Sequence, residues 1–222
     1  MDIEKDSQQG EPMLAGLRVE NLALMRGDRI LFQGLDLELR AGEALALTGA
    51  NGSGKTSLLR AVAGFLRPDQ GQITALDTAG HPMEMVTLRS HHLHWLGHLE
   101  GLKPTRTARQ ELSFQTAYLG GNPDQMARAI ERLSLTALLD LECRKLSAGQ
   151  RRRLSLARLV AVPRSLWLLD EPLAPLDEHW RHQAGELVAE HLAGGGIVMA
   201  AVHDPLPHAT RSLDLGGLAC GR

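Results

Sequence analysis

The sequence predicts an α/β fold: a parallel-sheet core that is discontinuous in sequence, an antiparallel β subdomain ahead of it, and an inserted α-helical subdomain. Three observations carry this prediction. Short alternating apolar and polar runs fill residues 17–40, and apolar strand-like runs at 43–48, 165–170 and 196–202 each lead into a loop or helix. Between them, residues 107–162 show helical patterning with no strand alternation.

Residues 1–13 read as a disordered tail, because Asp2, Glu4, Asp6 and Glu11 face a single Lys5 and no apolar signal-peptide core is present. The alternating runs of residues 17–40, broken at Arg26-Gly27-Asp28 and at Gln33-Gly34, predict antiparallel hairpins. A strand over 43–48 runs into a Gly-rich turn and a helix over 55–63 that ends near Gly64. Strands follow at 72–75 and 92–96, then helices at 107–119, 123–134 and 147–162. Strand signals return at 165–170 and 196–202, with a helix over 177–192 between them. The expected division is one domain over 14–222, with core segments 14–97 and 163–215 and a helical subdomain over 98–162.

At 222 residues the chain can bury a sizeable core in one domain. With 24 basic and 26 acidic residues the net charge is −2, so nothing global points to nucleic acid or to an anionic membrane surface. Two cysteines, Cys143 and Cys220, are too far apart for a zinc motif and too few for a disulfide framework, so a reducing, cytosolic setting is expected. No apolar run approaches the roughly 18 residues that span a bilayer. The chain is therefore not expected to insert into a membrane or to form a channel alone.

The run Gly49-Ala50-Asn51-Gly52-Ser53-Gly54-Lys55-Thr56 matches G-x-x-x-x-G-K-[ST], and it stands after a predicted strand and before a predicted helix. Glycines let the backbone turn so that successive N–H groups and the helix N-terminus converge on one phosphate. Lys55 is then expected to reach the β- and γ-phosphates of a nucleotide, and Thr56 to place its hydroxyl on Mg²⁺. Further on, Leu166-Trp167-Leu168-Leu169 is an apolar strand that delivers Asp170 and Glu171 at its carboxyl end, where open α/β sheets bind ligands. Asp170 suits a Mg²⁺ contact through water, and Glu171 suits a general base for in-line attack on the γ-phosphate. Leu146-Ser147-Ala148-Gly149-Gln150 opens a helix with Ser147 as N-cap, leaving free N–H groups in a first turn that attracts phosphate.

In this order and spacing the motifs resemble those of the ABC ATPase family, whose signature Leu-Ser-Gly-Gly-Gln lies between two nucleotide-binding motifs. The resemblance covers the chain from about Leu14 to Leu215 and implies that family's fold, a P-loop NTPase (RecA-like) core with antiparallel β and inserted helical subdomains. It further implies that Ser57 belongs to the nucleotide loop, that Asp177 in Leu173-Ala174-Pro175-Leu176-Asp177 belongs to the loop after Glu171, and that His203 is the switch histidine touching the γ-phosphate. The signature carries Ala148 for a glycine, which adds only one methyl. His98 takes the place of the usual glutamine and can reach a Mg²⁺-bound water through a ring nitrogen. Arg26 aligns where an aromatic often stacks on adenine; its guanidinium plane can stack on a base, or it can be a solvated loop residue.

Leu96-Gly97-His98, Gly101-Leu102-Lys103, Thr107-Ala108 and the Leu-Ser-Ala-Gly-Gln variant followed by Arg152-Arg153 narrow the resemblance to the ATP-binding subunits of cytochrome c maturation transporters, the haem-exporter ATPases. This implies ATP and Mg²⁺ as ligands, integral membrane subunits of that complex as partners, and a peripheral position on the cytoplasmic face of the inner membrane. It also implies a two-chain nucleotide sandwich, in which Ser147, Gly149 and Gln150 of one chain meet the γ-phosphate held by the other. An ATPase subunit for another substrate, or a soluble iron–sulfur-assembly ATPase of this family, is the alternative. The run Arg151-Arg152-Arg153 reads as the solvated face of a helix turned toward a membrane subunit, and His91, His92 and His94 read as strand residues rather than metal ligands.

Overall fold

A computed structural model describes residues 13–218, so the tail expected over residues 1–13 lies almost wholly outside the described residues. Two sheets build the molecule. Strand β1 (Leu14–Arg26) and β2 (Arg29–Arg40) form one long hairpin, turned at Gly27 with φ of +60°. The break expected at Gln33-Gly34 falls inside β2: register shifts opposite it let the strands stay paired, as β-bulges do when one strand carries extra residues. Strand β4 (Gln70–Asp77) pairs with β1 and the short β5 (Pro82–Met83) with β4, completing an antiparallel sheet of order β2-β1-β4-β5.

The second sheet is parallel, with order β6-β7-β8-β3-β9, built from β3 (Ala44–Thr48), β6 (Leu93–Leu96), β7 (Leu166–Asp170), β8 (Ile197–Ala201) and β9 (Arg211–Asp214). Its inner strands are apolar along their length because both faces are covered, the expected pattern for a parallel sheet. Leu45, Leu47, Leu168, Ile197 and Met199 face one core, shared with helix α1 (Lys55–Val62) and with Leu17, Leu22, Leu24 and Phe32 of the antiparallel sheet. Ala44, Ala46, Trp167, Leu169, Val198 and Ala200 face the other, shared with the helices.

The short helix α2 (Met85–Thr87) continues into a π-helical turn, Leu88–His92, so the strand expected from His92 begins one residue later. Helices α3 (Ala108–Tyr118), α4 (Pro123–Arg132) and α5 (Ala148–Ala161) lie between β6 and β7, each opened by a capping box, with Thr107, Asn122 and Ser147 as the N-caps. Helix α6 (Glu178–Ala193) returns the chain to β8.

The arginine run departs from expectation. Arg152 is only 2% exposed and donates to the Gly97 carbonyl, Arg153 lies 4.2 Å over the Trp180 ring, and Arg151 donates to the Leu146 carbonyl. The run is therefore a set of helix-to-neighbour braces and not a solvated face, because α5 is enclosed by β6, α3, α4 and the loop before α6.

The histidine run is split by the π turn. His94 is buried, with Nε2 2.6 Å from the Val162 carbonyl oxygen, and His191 of α6 stacks on Trp167 at 3.9 Å. Among the described residues no group of three or more His, Cys, Asp or Glu side chains is placed to hold a metal. Burial pushes the His94 imidazole down to about 3 against the opposing pull of the Val162 carbonyl, and burial likewise lowers His191 to about 4.

Both histidines thus stay neutral in the folded chain while the unfolded chain takes up protons below the ordinary histidine value, so stability falls as the pH drops through that value toward 4. Urea denaturation should lose about 2 kcal/mol through His94 alone between pH 7 and pH 5. A His94→Gln variant should show a flatter pH slope.

Candidate functional site

Adjacent strands β6, β7, β8 and β3 all end on one edge of the parallel sheet. Each releases a candidate residue there: His98 follows β6, Asp170 and Glu171 close β7, His203 follows β8, and the glycine-rich loop follows β3. Register holds them level, with Asp170 opposite Ala201 and Ala201 opposite Leu47. The carboxyl edge of an open parallel sheet is where such folds bind ligands.

A cavity of about 460 Å³ opens on this edge, lined by Asn51, Gly52, Ser53, Gly54, Lys55, Thr56 and Ser57 together with Arg26, His98, Asp170, Glu171 and His203. Gly49 and Ala50 lie behind it, where their carbonyls accept from Lys55 Nζ at 2.7 and 3.3 Å. The loop geometry requires glycine at two points. A Cβ on Gly49 (φ +120°) would meet Asp214 Oδ1 at 2.9 Å, and one on Gly54 (φ +106°) would meet the Phe32 ring at 3.1 Å. Gly54 is also the N-cap of α1, so the free N–H groups of that helix face the cradle. Ser53 Oγ is buried there without a partner among the described residues. A buried orphan hydroxyl beside converging N–H groups fits an anionic oxygen ligand.

Across the cavity, the Thr56 hydroxyl donates to Asp170 Oδ1 at 3.0 Å. Hydroxyl and carboxylate oxygens side by side form a hard donor set that fits Mg²⁺. Glu171 takes a left-handed φ of +50°, its N–H held by the Ala201 carbonyl at 2.9 Å, and its Oε1 lies 3.3 Å from His203 Nε2. A non-glycine residue in that region is strained and persists only where its surroundings impose it. The hydrogen bond from β7 to β8 does so here, and the reward is a carboxylate turned toward the cavity beside an imidazole.

Besides Gly49 and Ala50, four of the expected residues do not line this cavity. Ser147 and Gln150 satisfy each other across the first turn of α5, Ser147 Oγ accepting from Gln150 N at 3.2 Å and Gln150 Oε1 from Ser147 N at 2.8 Å. Gly149 packs under the loop after Glu171, where an added Cβ would meet the Pro175 carbonyl at 3.0 Å. Asp177 caps α6 by accepting from Trp180 N at 2.9 Å. Within one chain, then, the α5 terminus and the phosphate cradle are separate surfaces.

Sequence reasoning missed Asp214 as a wall of the cradle. Asp214 sits on β9 against Gly49 and accepts from Gly216 N at 2.8 Å, walling the cradle from behind. Nothing in the short polar stretch of residues 211–214 marks it as a strand.

Sheet order, glycine-walled cradle and a paired carboxylate and imidazole define a nucleotide-binding ATPase domain of the P-loop class, and comparison with known proteins agrees. Residues 32–174 match the family described as ABC transporter. The cytochrome c biogenesis ATP-binding export protein CcmA of Rhodopseudomonas palustris (strain BisB5) is 46% identical over 89% of this chain and 96% of its own length. The protein of the same name from Bradyrhizobium diazoefficiens is 45% identical over 93% of this chain and 99% of its own. Among solved structures, a putative ABC transporter ATP-binding protein from Pyrococcus furiosus shares the fold at a TM-score of 0.79 and 22% identity, covering 93% of this chain and 100% of that one. The chain belongs to the ABC transporter family, in the branch of the cytochrome c biogenesis ATP-binding export proteins.

Gly54→Ala forces a left-handed alanine against Phe32, and should cost about 1–3 kcal/mol of stability by denaturant melt. The same change should weaken nucleotide binding, read by fluorescence of a labelled ATP analogue.

Proposed function

We propose that the chain is the ATP-hydrolysing subunit of an ABC transporter complex of cytochrome c biogenesis, coupling ATP binding and hydrolysis to haem export or to release of haem from its chaperone. The observation that carries the hydrolytic part is the Glu171–His203 pair at 3.3 Å, facing the cradle across one cavity. The biological part rests on the names of relatives at about 45% identity over most of the chain.

In this reading the loop N–H groups and Lys55 bind the β- and γ-phosphates, with Arg26 at the adenine end. Thr56 and Asp170 would hold Mg²⁺, which supplies charge neutralisation on the phosphoryl oxygens when bound. Glu171 takes the proton of the attacking water as the new oxygen–phosphorus bond forms and the bond to the ADP oxygen breaks, while His203 orients Glu171 and meets the γ-phosphate. His98, which lines the same cavity after β6, would contact a water of the bound metal through a ring nitrogen.

Each chain has one cradle and one Ser147–Gln150 terminus, set on separate surfaces, which supports a two-chain sandwich in which each site borrows the terminus of its partner. Core segments 14–97 and 163–215 then carry the cradle, and the helical subdomain over 98–162 carries the terminus. Helices α3, α4 and α5 each contact the other two, which supports that division. None of the described helices is long and apolar enough to cross a membrane. The reading therefore assigns membrane passage to integral partner subunits, with this chain peripheral on the cytoplasmic face of the inner membrane.

Glu171→Gln should lower turnover by about 10²- to 10⁴-fold while ATP still binds and, by sedimentation, holds two chains together. Turnover at the native rate would remove Glu171 from the role of base. Affinity capture of the native protein should recover integral membrane proteins of cytochrome c maturation; recovery with soluble scaffold proteins instead would favour the iron–sulfur alternative.

A further inference from the structure

Strand β6 is an edge of the parallel sheet, so alternate carbonyls along it point away from β7 with no strand among the described residues to receive them. Three arginines receive them in turn. Arg164 donates to Leu93 O at 2.8 Å, Arg158 to Trp95 O, and Arg152 to Gly97 O at 3.1 Å, with a longer contact from Arg152 to His98 O at 3.5 Å. Two of these arginines belong to α5 and the third follows it. A helix thus replaces the missing strand with a ladder of guanidinium groups, whose last rung stands one residue before His98.

The rung at Arg152 differs from the other two. It lies five residues after Ser147, on the same helix whose terminus carries Ser147, Gly149 and Gln150, and it is almost wholly buried at 2% exposure. Its Nε, like that of Arg158, is buried without a partner among the described residues, so the guanidinium is not placed there for saturated hydrogen bonding; what sets Arg152 apart is its place beside the α5 terminus and its reach to two successive carbonyls. Burial lowers its pKa, opposed by the carboxylates of Glu100, Asp170 and Glu171, which favour the charged form. A buried cation therefore sits between the α5 terminus, the backbone at His98 and the carboxylates that end β7.

We propose that Arg152 is a positioning residue for the hydrolytic site, fixing the Gly97–His98 backbone to the signature helix so that His98 and the α5 terminus shift together. A planar fork suits this because it holds two successive carbonyls at once, which one ammonium group cannot do with the same rigidity. Arg158 and Arg164 carry the same contact farther from the cavity, and act on the strand rather than on His98. The inference rests on the proposed ATPase reading for its effect on turnover, and on geometry alone for its effect on the backbone.

The test uses the full chain as Arg152→Met, Arg152→Lys and His98→Ala variants, together with the double variant Arg152→Met/His98→Ala. Arg152→Met should lower turnover by about 10- to 100-fold, the scale of a misplaced supporting group, with affinity for a labelled ATP analogue nearly unchanged. The loss should be non-additive with His98→Ala, since both act through one side chain. Amide hydrogen exchange over residues 97–99 should accelerate in Arg152→Met without nucleotide, with Arg152→Lys intermediate. Effects that multiply independently, or unchanged exchange over 97–99, would overturn the proposal. If Arg152→Met does not fold, Arg152→Lys carries the same exchange comparison, read against an Arg158→Lys control that should loosen residue 95 first. Should the native chain hydrolyse no ATP, the proposed function fails, and the exchange result still decides whether Arg152 fixes the 97–99 backbone.

Discussion

The register of β7, β8 and β3 is the constraint on which the site depends. Asp170 stands opposite Ala201 and Ala201 opposite Leu47, so the chain leaves three neighbouring strands at one level. The peptide of Glu171 is then still within reach of β8, and the hydrogen bond it donates to Ala201 O holds that residue in its left-handed turn. A slip of one residue would turn Leu166, Leu168, Leu45 and Leu47 from one core to the other and carry the carboxylates away from the cradle. Two apolar cores, one on each face, make such a slip prohibitive. The precision of the polar edge is thus inherited from the apolar faces.

The antiparallel sheet contributes in a different way. Phe32, fully buried, presses its ring against Gly54, while the β1–β2 turn delivers Arg26 to the cavity wall. One strand therefore shapes the phosphate end and its hairpin turn reaches the opposite end. The bulges in β1 and β2 let a long hairpin curve over α1 without losing its pairing.

Much of this was legible in the sequence, for local reasons. The cradle needs glycine and lysine at fixed offsets, and a fully covered parallel strand must read as an apolar run, so the loop at 49–56 and the strands before it and at 165–170 were visible from one-dimensional pattern. The same holds for α3, α4 and α5, whose N-caps are written as Thr107, Asn122 and Ser147. The features that escaped depend on partners distant in sequence. Strand β9 is four residues of mixed polarity and exists only because β3 offers an edge. The π turn at Leu88–His92 leaves no periodic trace in so few residues. Composition alone makes the arginine run a solvated face, although three successive helical residues sweep about 200° of the helix surface and a helix apolar at Leu154, Leu156, Ala157 and Leu159 must bury at least one of them.

That misreading identifies what kind of interaction links the two parts of the molecule. Apolar contact alone would let α5 slide against the edge of the sheet, because dispersion is weakly directional. Carbonyls on an edge strand are directional and cannot stay unpaired when buried, so whatever satisfies them also sets the position of the element that supplies it. Here α5 and the residue just beyond it supply the donors for Leu93, Trp95 and Gly97. The edge that a sheet must protect for stability is therefore the one along which the helix capped by Ser147 is tied to the strand that leads to His98. Protection of the edge and alignment of the site are one set of hydrogen bonds, and a change that loosens the first loosens the second.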